Sequence, residues 1–133
     1  MAGFSNDTEN KLLNHLFNGT SVSYAGGTKY IALHTGDPGE TGANEVSTSL
    51  TGYARKSHSS FTTASSGTLS NSGDITFATI THSSNSATVT HVGIWDSASG
   101  GNFICGGAVG TSKTIALNDI PKILDGELDI ALD

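Results

Sequence analysis

The C-terminal part of the chain alternates apolar and polar residues in four runs that begin near Ser86, and Gly, Asn, Asp and Ser separate the runs. Alternation with a period of two predicts β-strands that bury one face. Residues 92–95 lead into a loop with Gly100 and Gly101, and the chain returns as residues 102–105, a pattern typical of a β-hairpin. These runs indicate the strands of a sandwich or barrel and do not resemble a reaction site.

One amphipathic helix is predicted near the N-terminus, over residues 7–17. Asn6 is its expected N-cap because Glu9 follows three positions later, and Gly19 after Asn18 is expected to end it. A helix of about three turns is marginal alone in water, so its apolar face needs a cover. That face consists of Leu12, Leu13, Leu16 and Phe17.

Two surfaces are candidates to bury the apolar face of this helix. The chain's own sheet is the favoured cover for the helix as a whole. A neighbouring subunit or a component of a larger particle is the alternative, and it is favoured for part of the face because the stripe is wider than one contact of a short helix needs. The loose segment from Gly19 to Gly27 would let the helix reach outward.

The middle of the chain also predicts strands. Residues 30–33 are apolar on both faces, as expected for a central strand, and residues 75–79 alternate. A polar loop over residues 36–51 opens with a turn at Asp37, Pro38 and Gly39, and loops of this length are usually binding or contact loops. About seven or eight strands at roughly ten-residue spacing predict a mainly β fold. We expect a single antiparallel β-sandwich or jelly-roll-like domain over residues 1–133, with an N-terminal helical arm over 1–19 and the sandwich over 28–133.

Composition limits the classes of partner. The chain has 133 residues, which fits one domain, and its formal net charge is −6 with only six basic residues. The longest basic run is the pair Arg55 and Lys56, so no clustered positive face is expected and nucleic acid is not an expected partner. No apolar segment approaches the length that a bilayer span needs, and no membrane partner is expected.

The residue types that carry chemistry in enzymes are dispersed along this chain. The five His residues lack zinc-ligand spacing, and the nearest pairing, His34 with Asp37, is expected to end a strand. No Ser lies in a Gly-x-Ser-x-Gly motif. The single Cys105 excludes an intrachain disulfide, and its apolar neighbours indicate a small buried side chain. We therefore expect no catalytic residue, no cofactor and no metal.

Two binding alternatives stay open. Asp37, Glu40, Asn44 and Glu45 have the oxygen ligands that calcium prefers, although their spacing differs from that of the twelve-residue calcium loop. Trp95 and the Tyr residues have rings that stack on sugars, although a Trp between apolar neighbours is more often part of a core or an interface.

Separated blocks along nearly the whole chain carry a resemblance: AGFSN at residues 2–6, residues 9–17, IALHTGDP at 31–38, residues 44–47 and 52–55, VTHVGIWD at 89–96, and residues 99–102, 111–114 and 128–133. In order and spacing, these blocks resemble a family of small virion proteins from tailed bacteriophages. Members are commonly labelled tail fibre or minor structural proteins, and similar small sandwiches serve as capsid decoration or cement proteins.

The resemblance implies a non-enzymatic structural protein of a tailed-phage virion, assembled in the cytoplasm of the host bacterium. A capsid decoration or cement protein is the leading interpretation, and a tail-fibre or tail-tip component and a host-glycan-binding module are the alternatives. Expected partners are further copies of the chain in a trimer, and the major capsid protein or tail proteins, with a host surface glycan as a further alternative. Contacts are expected from Phe4, Leu12, Leu13, Leu16, Phe17, Asp37, Glu40, Glu45 and Trp95.

Because the sequence groups no metal ligands, the stability of the protein is expected to be independent of divalent cations. We predict an unchanged melting temperature when EDTA is added to the purified protein. A fall of several degrees would instead reveal a structural cation, with the loop from Asp37 to Glu45 as its expected place, because a ligand that binds only the folded state stabilises that state.

Overall fold

The computed structural model describes residues 3–81 and 84–132. Met1, Ala2, His82, Ser83 and Asp133, which the predicted domain includes, lie outside the described residues. The elements in chain order are β1 (Gly3–Phe4), α1 (Asn6–Asn18), β2 (Lys29–His34), β3 (Lys56–His58), β4 (Thr68–Ser70), β5 (Ile75–Thr76), β6 (Ala87–Trp95), β7 (Phe103–Ile115), β8 (Lys122–Ile123) and β9 (Asp129–Ala131).

One five-stranded sheet and two short sheets contain these strands. The large sheet has the order β1-β7-β6-β2-β3, and the short sheets pair β4 with β9 and β5 with β8. All of these pairings are antiparallel. The predicted fold class is confirmed: the chain is mainly β, its strands pair in antiparallel fashion in a sandwich-like domain, and one helix lies near the N-terminus. No helix in the described part of the chain has the length and apolar character to span a bilayer.

The predicted hairpin forms the centre of the large sheet. β6 and β7 pair from Trp95 opposite Phe103 to Ala87 opposite Ile115. The described residues contain nine strands where about seven or eight were expected, partly because β1 has only two residues and so shows no periodicity. β7 ends at Ile115, and Leu117 lies beyond it, exposed.

β2 is buried on both faces, as its sequence predicts. Ile31 and Leu33 point into the main core, whereas Ala32 packs with Trp95 and Phe103 in a second, smaller core. Successive side chains of a strand point to opposite faces, so a strand that serves two cores is apolar on both faces, as residues 30–33 are. The large sheet therefore has one core on each face.

The side chain of Asn71 connects the two short sheets through hydrogen bonds. Its side chain is fully buried, and its Oδ1 accepts a hydrogen bond from the backbone N–H of Leu128 at 2.9 Å. Its Nδ2 donates to the carbonyls of Gly73 at 2.8 Å and Leu124 at 3.0 Å. A buried amide with all three bonds made holds loops that are far apart in sequence in one arrangement.

We predict that Asn71→Ala lowers the free energy of unfolding by about 2 to 4 kcal/mol, because it leaves buried backbone groups without partners. Urea titration of the purified variant measures this change. Asn85→Ala is the matched control, because Asn85 is exposed and its side-chain hydrogen bond to the carbonyl of Ser49 is 3.2 Å long. The control should lose less than about 0.5 kcal/mol, and equal losses in the two variants would contradict the role given to Asn71.

Candidate interaction surfaces

The first turn of α1 attaches the helix to the β6–β7 hairpin. Ser5 is the N-cap: its Oγ accepts a hydrogen bond from the backbone N–H of Thr8 at 3.3 Å and lies 3.0 Å from the carbonyl oxygen of Phe103. The prediction of Asn6 as N-cap is wrong, because Asn6 is already helical and its N–H donates to Glu40 at 2.6 Å. The predicted end of the helix is confirmed, since Gly19 is left-handed with φ 68°.

The apolar face of α1 is uncovered. Leu13, Leu16 and Phe17 are 56%, 74% and 75% exposed, and Leu12 is half-buried. Thr8 is the only buried residue of the helix, and its hydroxyl bonds to Tyr24. The expectation that the chain's own sheet covers this face is therefore wrong, because the helix docks through polar residues of its first turn and leaves the apolar stripe free.

The loop after β2 folds back over the second core. Pro38 and Gly42 are buried there, and Gly42 has φ +74° in a position where a Cβ atom would overlap the ring of Trp95. Glycine is the residue that reaches this left-handed conformation without a clash. The loop is therefore packed closely against the sheet, with Asp37 and Glu40 on its exposed side.

Arg55 joins this loop to the hairpin. Its guanidinium donates to both carboxylate oxygens of Glu45 at 2.9 and 2.8 Å, and its Nη1 donates to the carbonyls of Ser97 and Gly100 at 2.9 and 2.8 Å. The guanidinium carbon lies 3.8 Å from the ring centroid of Trp95. Burial alone would raise the pKa of Glu45, but the hydrogen bonds and charge of Arg55 hold that pKa below its ordinary value.

The expected contact residues therefore fall into two groups. Leu13, Leu16 and Phe17 are exposed, as are Asp37 and Glu40. In contrast, Trp95 is only 8% exposed and Glu45 is engaged by Arg55. Phe4 pairs in the large sheet and packs against the main core. Whether any of the nine residues makes a contact in a particle stays a prediction.

A cleft of about 700 Å³ opens between the large sheet and the segment that contains β8. The carboxyl-terminal half of β7 forms one wall, and residues 121–124 and 127–129 form another. Between the pairs Val89–Lys113 and His91–Ala108, β6 advances two residues and β7 five, so β7 bulges by three residues beside the cleft. β1 covers β7 only at Cys105 and Gly106, which leaves the wall at the edge of the sheet.

The described residues contain no arrangement that resembles a catalytic site. His34 is fully buried, and its Nδ1 bonds to the carbonyl of Ala43 at 2.7 Å instead of pairing with Asp37. Burial raises the pKa of Cys105 to about 12, so its thiol is not a nucleophile at neutral pH. Within residues 3–81 and 84–132, no three His, Cys, Asp or Glu side chains are grouped as metal ligands.

A family model described as podophage GP4 fiber I protein gp80 matches residues 3–131. The chain belongs to this family. The match spans nearly all of the chain, and it confirms the resemblance to a family of structural proteins from tailed phages. No curated protein sequence matches the chain.

Membership of the gp80 fibre I family identifies the chain as a phage fibre or structural protein and a component of the virion. The family description contains the word fibre and does not mention the capsid. Sequence reasoning missed Arg55 and the cleft, because both depend on segments that come together only in the fold.

We predict that the free energy of unfolding decreases as the pH is lowered from 7.5 to 5.5, and that His34 is the cause. Burial is the main cause that lowers its pKa; the charges of Arg55 and His91 add to it, and the bond to Ala43 and the charge of Glu45 oppose it. As the pH falls, His34 is therefore protonated in the unfolded state before it is protonated in the folded state. The stabilisation that neutral His34 gives the folded state is complete above about pH 6.5, and it is lost as the pH falls toward the pKa of His34 in the folded state.

Urea titration at the two pH values measures this effect. His34→Asn should remove most of this pH dependence, whereas the exposed control His15→Asn should keep it. Glu45 also has a lowered pKa, but its contribution is lost only below about pH 4.5, outside the range measured. Equal pH dependence in wild type and His34→Asn would assign the effect to another group.

Proposed function

We propose that the protein is a non-catalytic building block of the tail-fibre apparatus of a tailed phage, and that it acts by surface complementarity. The observation that carries this proposal is the uncovered apolar face of α1 in a chain of the gp80 fibre I family. A helix of about three turns gains little stability alone in water, so an apolar stripe that its own fold leaves free is best explained by a partner.

The attachment of α1 supports a role in contacts. Ser5 and Thr8 fix the beginning of the helix, and Glu40 adds a bond to its first N–H. Beyond this turn the helix projects Leu16 and Phe17 into solvent. A rigid domain that holds a helix at one end presents its apolar side chains at a defined position, which favours docking because little conformational freedom is lost.

The proposed role needs no catalytic group. His34 is enclosed and Cys105 has a raised pKa, so neither offers the accessible, activated group that acid–base or nucleophilic chemistry needs. The aromatic rings considered for sugar stacking, Trp95 and Tyr53, are both buried. A glycan module that uses their faces is therefore not supported by the geometry.

The leading interpretation of the sequence, capsid decoration, differs from this proposal in the partner. The family description favours a fibre, and both positions would use the same exposed helix face. Purified protein mixed separately with isolated tails and with DNA-filled heads that lack tails separates them. Co-sedimentation with tails supports the proposal, and binding to heads alone would overturn the tail assignment in favour of the capsid.

The helix face is tested with the double variant Leu13→Gln and Phe17→Gln. Because both side chains are more than half exposed, we expect a melting curve within a few degrees of wild type and loss of co-sedimentation with tails. Leu117→Gln is the matched control, since Leu117 is also an exposed apolar residue but lies outside the helix. A double variant that melts normally and still sediments with tails removes the helix from the mechanism.

A further inference from the structure

The cleft beside β8 is lined by side chains of the main core. Val89, Ile115 and Leu128 belong to that core and also face the cleft. Protein interiors are normally packed to the density of organic crystals, and dry apolar cavities known in proteins are far smaller than this cleft of about 700 Å³. An opening of this size into a core is therefore suited to receive apolar side chains from outside.

The apolar face of α1, called the ridge below, is the surface of this chain that we consider as the occupant of the cleft. From Leu12 to Asn18 the helix has no Asp, Glu, Lys or Arg, so its insertion would bury no unpaired charge among aliphatic walls. We propose that the apolar face of α1 from one protomer docks in the cleft of a second copy of the chain. This inference rests on the proposed function, in which that face is a contact surface.

The charges at the two surfaces are complementary. Glu9 lies on the same side of the helix as Leu13 and Leu16, at spacings of four and seven residues, and it forms no ion pair among the described residues. Lys113 lines the cleft and is likewise without an ion pair in the part of the chain that the structure describes. Docking of the ridge would bring this carboxylate to a rim that holds a free ammonium group.

The other charged groups of the cleft add little attraction for Glu9. Lys122 is already paired with Asp74 at 3.6 Å, and Asp129 accepts a hydrogen bond from Ser70. Glu127 also lines the cleft. With a net charge of −6 on each copy, protomers repel one another weakly, and salt screens this repulsion. Apolar burial is therefore the main source of the affinity, and the charges set orientation.

The positions of ridge and cleft determine the type of assembly. The helix starts beside Phe103, at the hairpin end of the large sheet, whereas the cleft lies along residues 107–115 of β7. An interface between two different surfaces is heterologous, and it closes into a ring or continues as a filament. A helix of 13 residues is about 20 Å long, so one contact is smaller than a standard interface of about 800 Å² per partner.

A closed ring doubles the buried area per protomer, because every copy then supplies both a helix and a cleft. The trimer expected from the resemblance would be such a ring. In contrast, an open pair would leave one helix and one cleft unoccupied. Ring closure therefore compensates for the small size of each contact.

Two variants separate the halves of the interface. Leu16→Asp with Phe17→Asp disables the ridge at two exposed positions. Gly110→Glu obstructs the cleft: Gly110 lines it, and a Cβ atom there would have no heavy atom within 4 Å, so the fold has room for the side chain. Leu117→Asp and Ala54→Glu are the controls, because both positions are exposed and outside the two surfaces.

Sedimentation velocity of the full chain measures the outcome, with melting curves to confirm that each variant is folded. We expect wild type and both controls to form a closed oligomer, and each interface variant alone to be monomeric, with association weakened by more than about a hundredfold. An equimolar mixture of the two interface variants should give a dimer and nothing larger, since one intact helix and one intact cleft remain. Because this dimer has one contact and no ring closure, it is weaker than the wild-type oligomer and is measured at a higher protein concentration.

Three results would overturn the inference: a monomeric wild type, an interface variant that is folded and keeps the wild-type oligomer, or a mixture of the two variants that stays monomeric. If a folded ridge variant cannot be obtained, Leu16→Gln with Phe17→Gln replaces it in the same mixture. A monomeric wild type that still sediments with tails would refute only the contact between copies. An oligomer that binds neither tails nor heads would refute only the proposed function.

Discussion

The hydrogen bonds of the Arg55 guanidinium fix the loop that positions α1. The guanidinium bonds to Glu45 in the loop after β2 and to two carbonyls in the hairpin loop, and it covers the face of Trp95. Lysine would not replace it, because only a planar fork makes paired bonds to a carboxylate while stacking on a ring. The loop held in this way carries Glu40, which receives the first N–H of α1. The position of the helix is thus coupled to a salt bridge beside the second core.

The distribution of polar bonds explains why so small an apolar content supports this fold. Only 35% of the residues are hydrophobic, and many of the connections between strands are irregular. Asn71 joins the short sheets, and Tyr53 links the N–H of Leu33 to the carboxylate of Glu45. Buried polar groups that are fully bonded impose one arrangement on such loops. The apolar residues of α1 are then not needed for the core and are free for a partner.

The periodicity of apolar residues predicted the elements whose formation depends on neighbouring residues of the chain. The hairpin, the doubly buried β2 and the existence of α1 all follow from the spacing of apolar residues. The N-cap was missed because Ser5 and Asn6 both have suitable side chains, and the choice rests on a contact of Ser5 with Phe103, 98 residues away. The role of Arg55 likewise depends on carbonyls 42 and 45 residues distant. Amphipathicity indicated that the helix needs a cover, but the identity of that cover is a property of the three-dimensional surfaces.

Cys105 has a consequence for a protein that belongs to a virion. It is the only cysteine of the chain, it lies in the interior of the large sheet, and its thiol stays protonated. The reactive form of cysteine is the thiolate, and access to solvent controls its oxidation. Exposure to air therefore does not readily change the covalent state of this thiol. In an oxidising medium the fold rests on packing and hydrogen bonds and not on an intrachain disulfide, because the chain has a single cysteine.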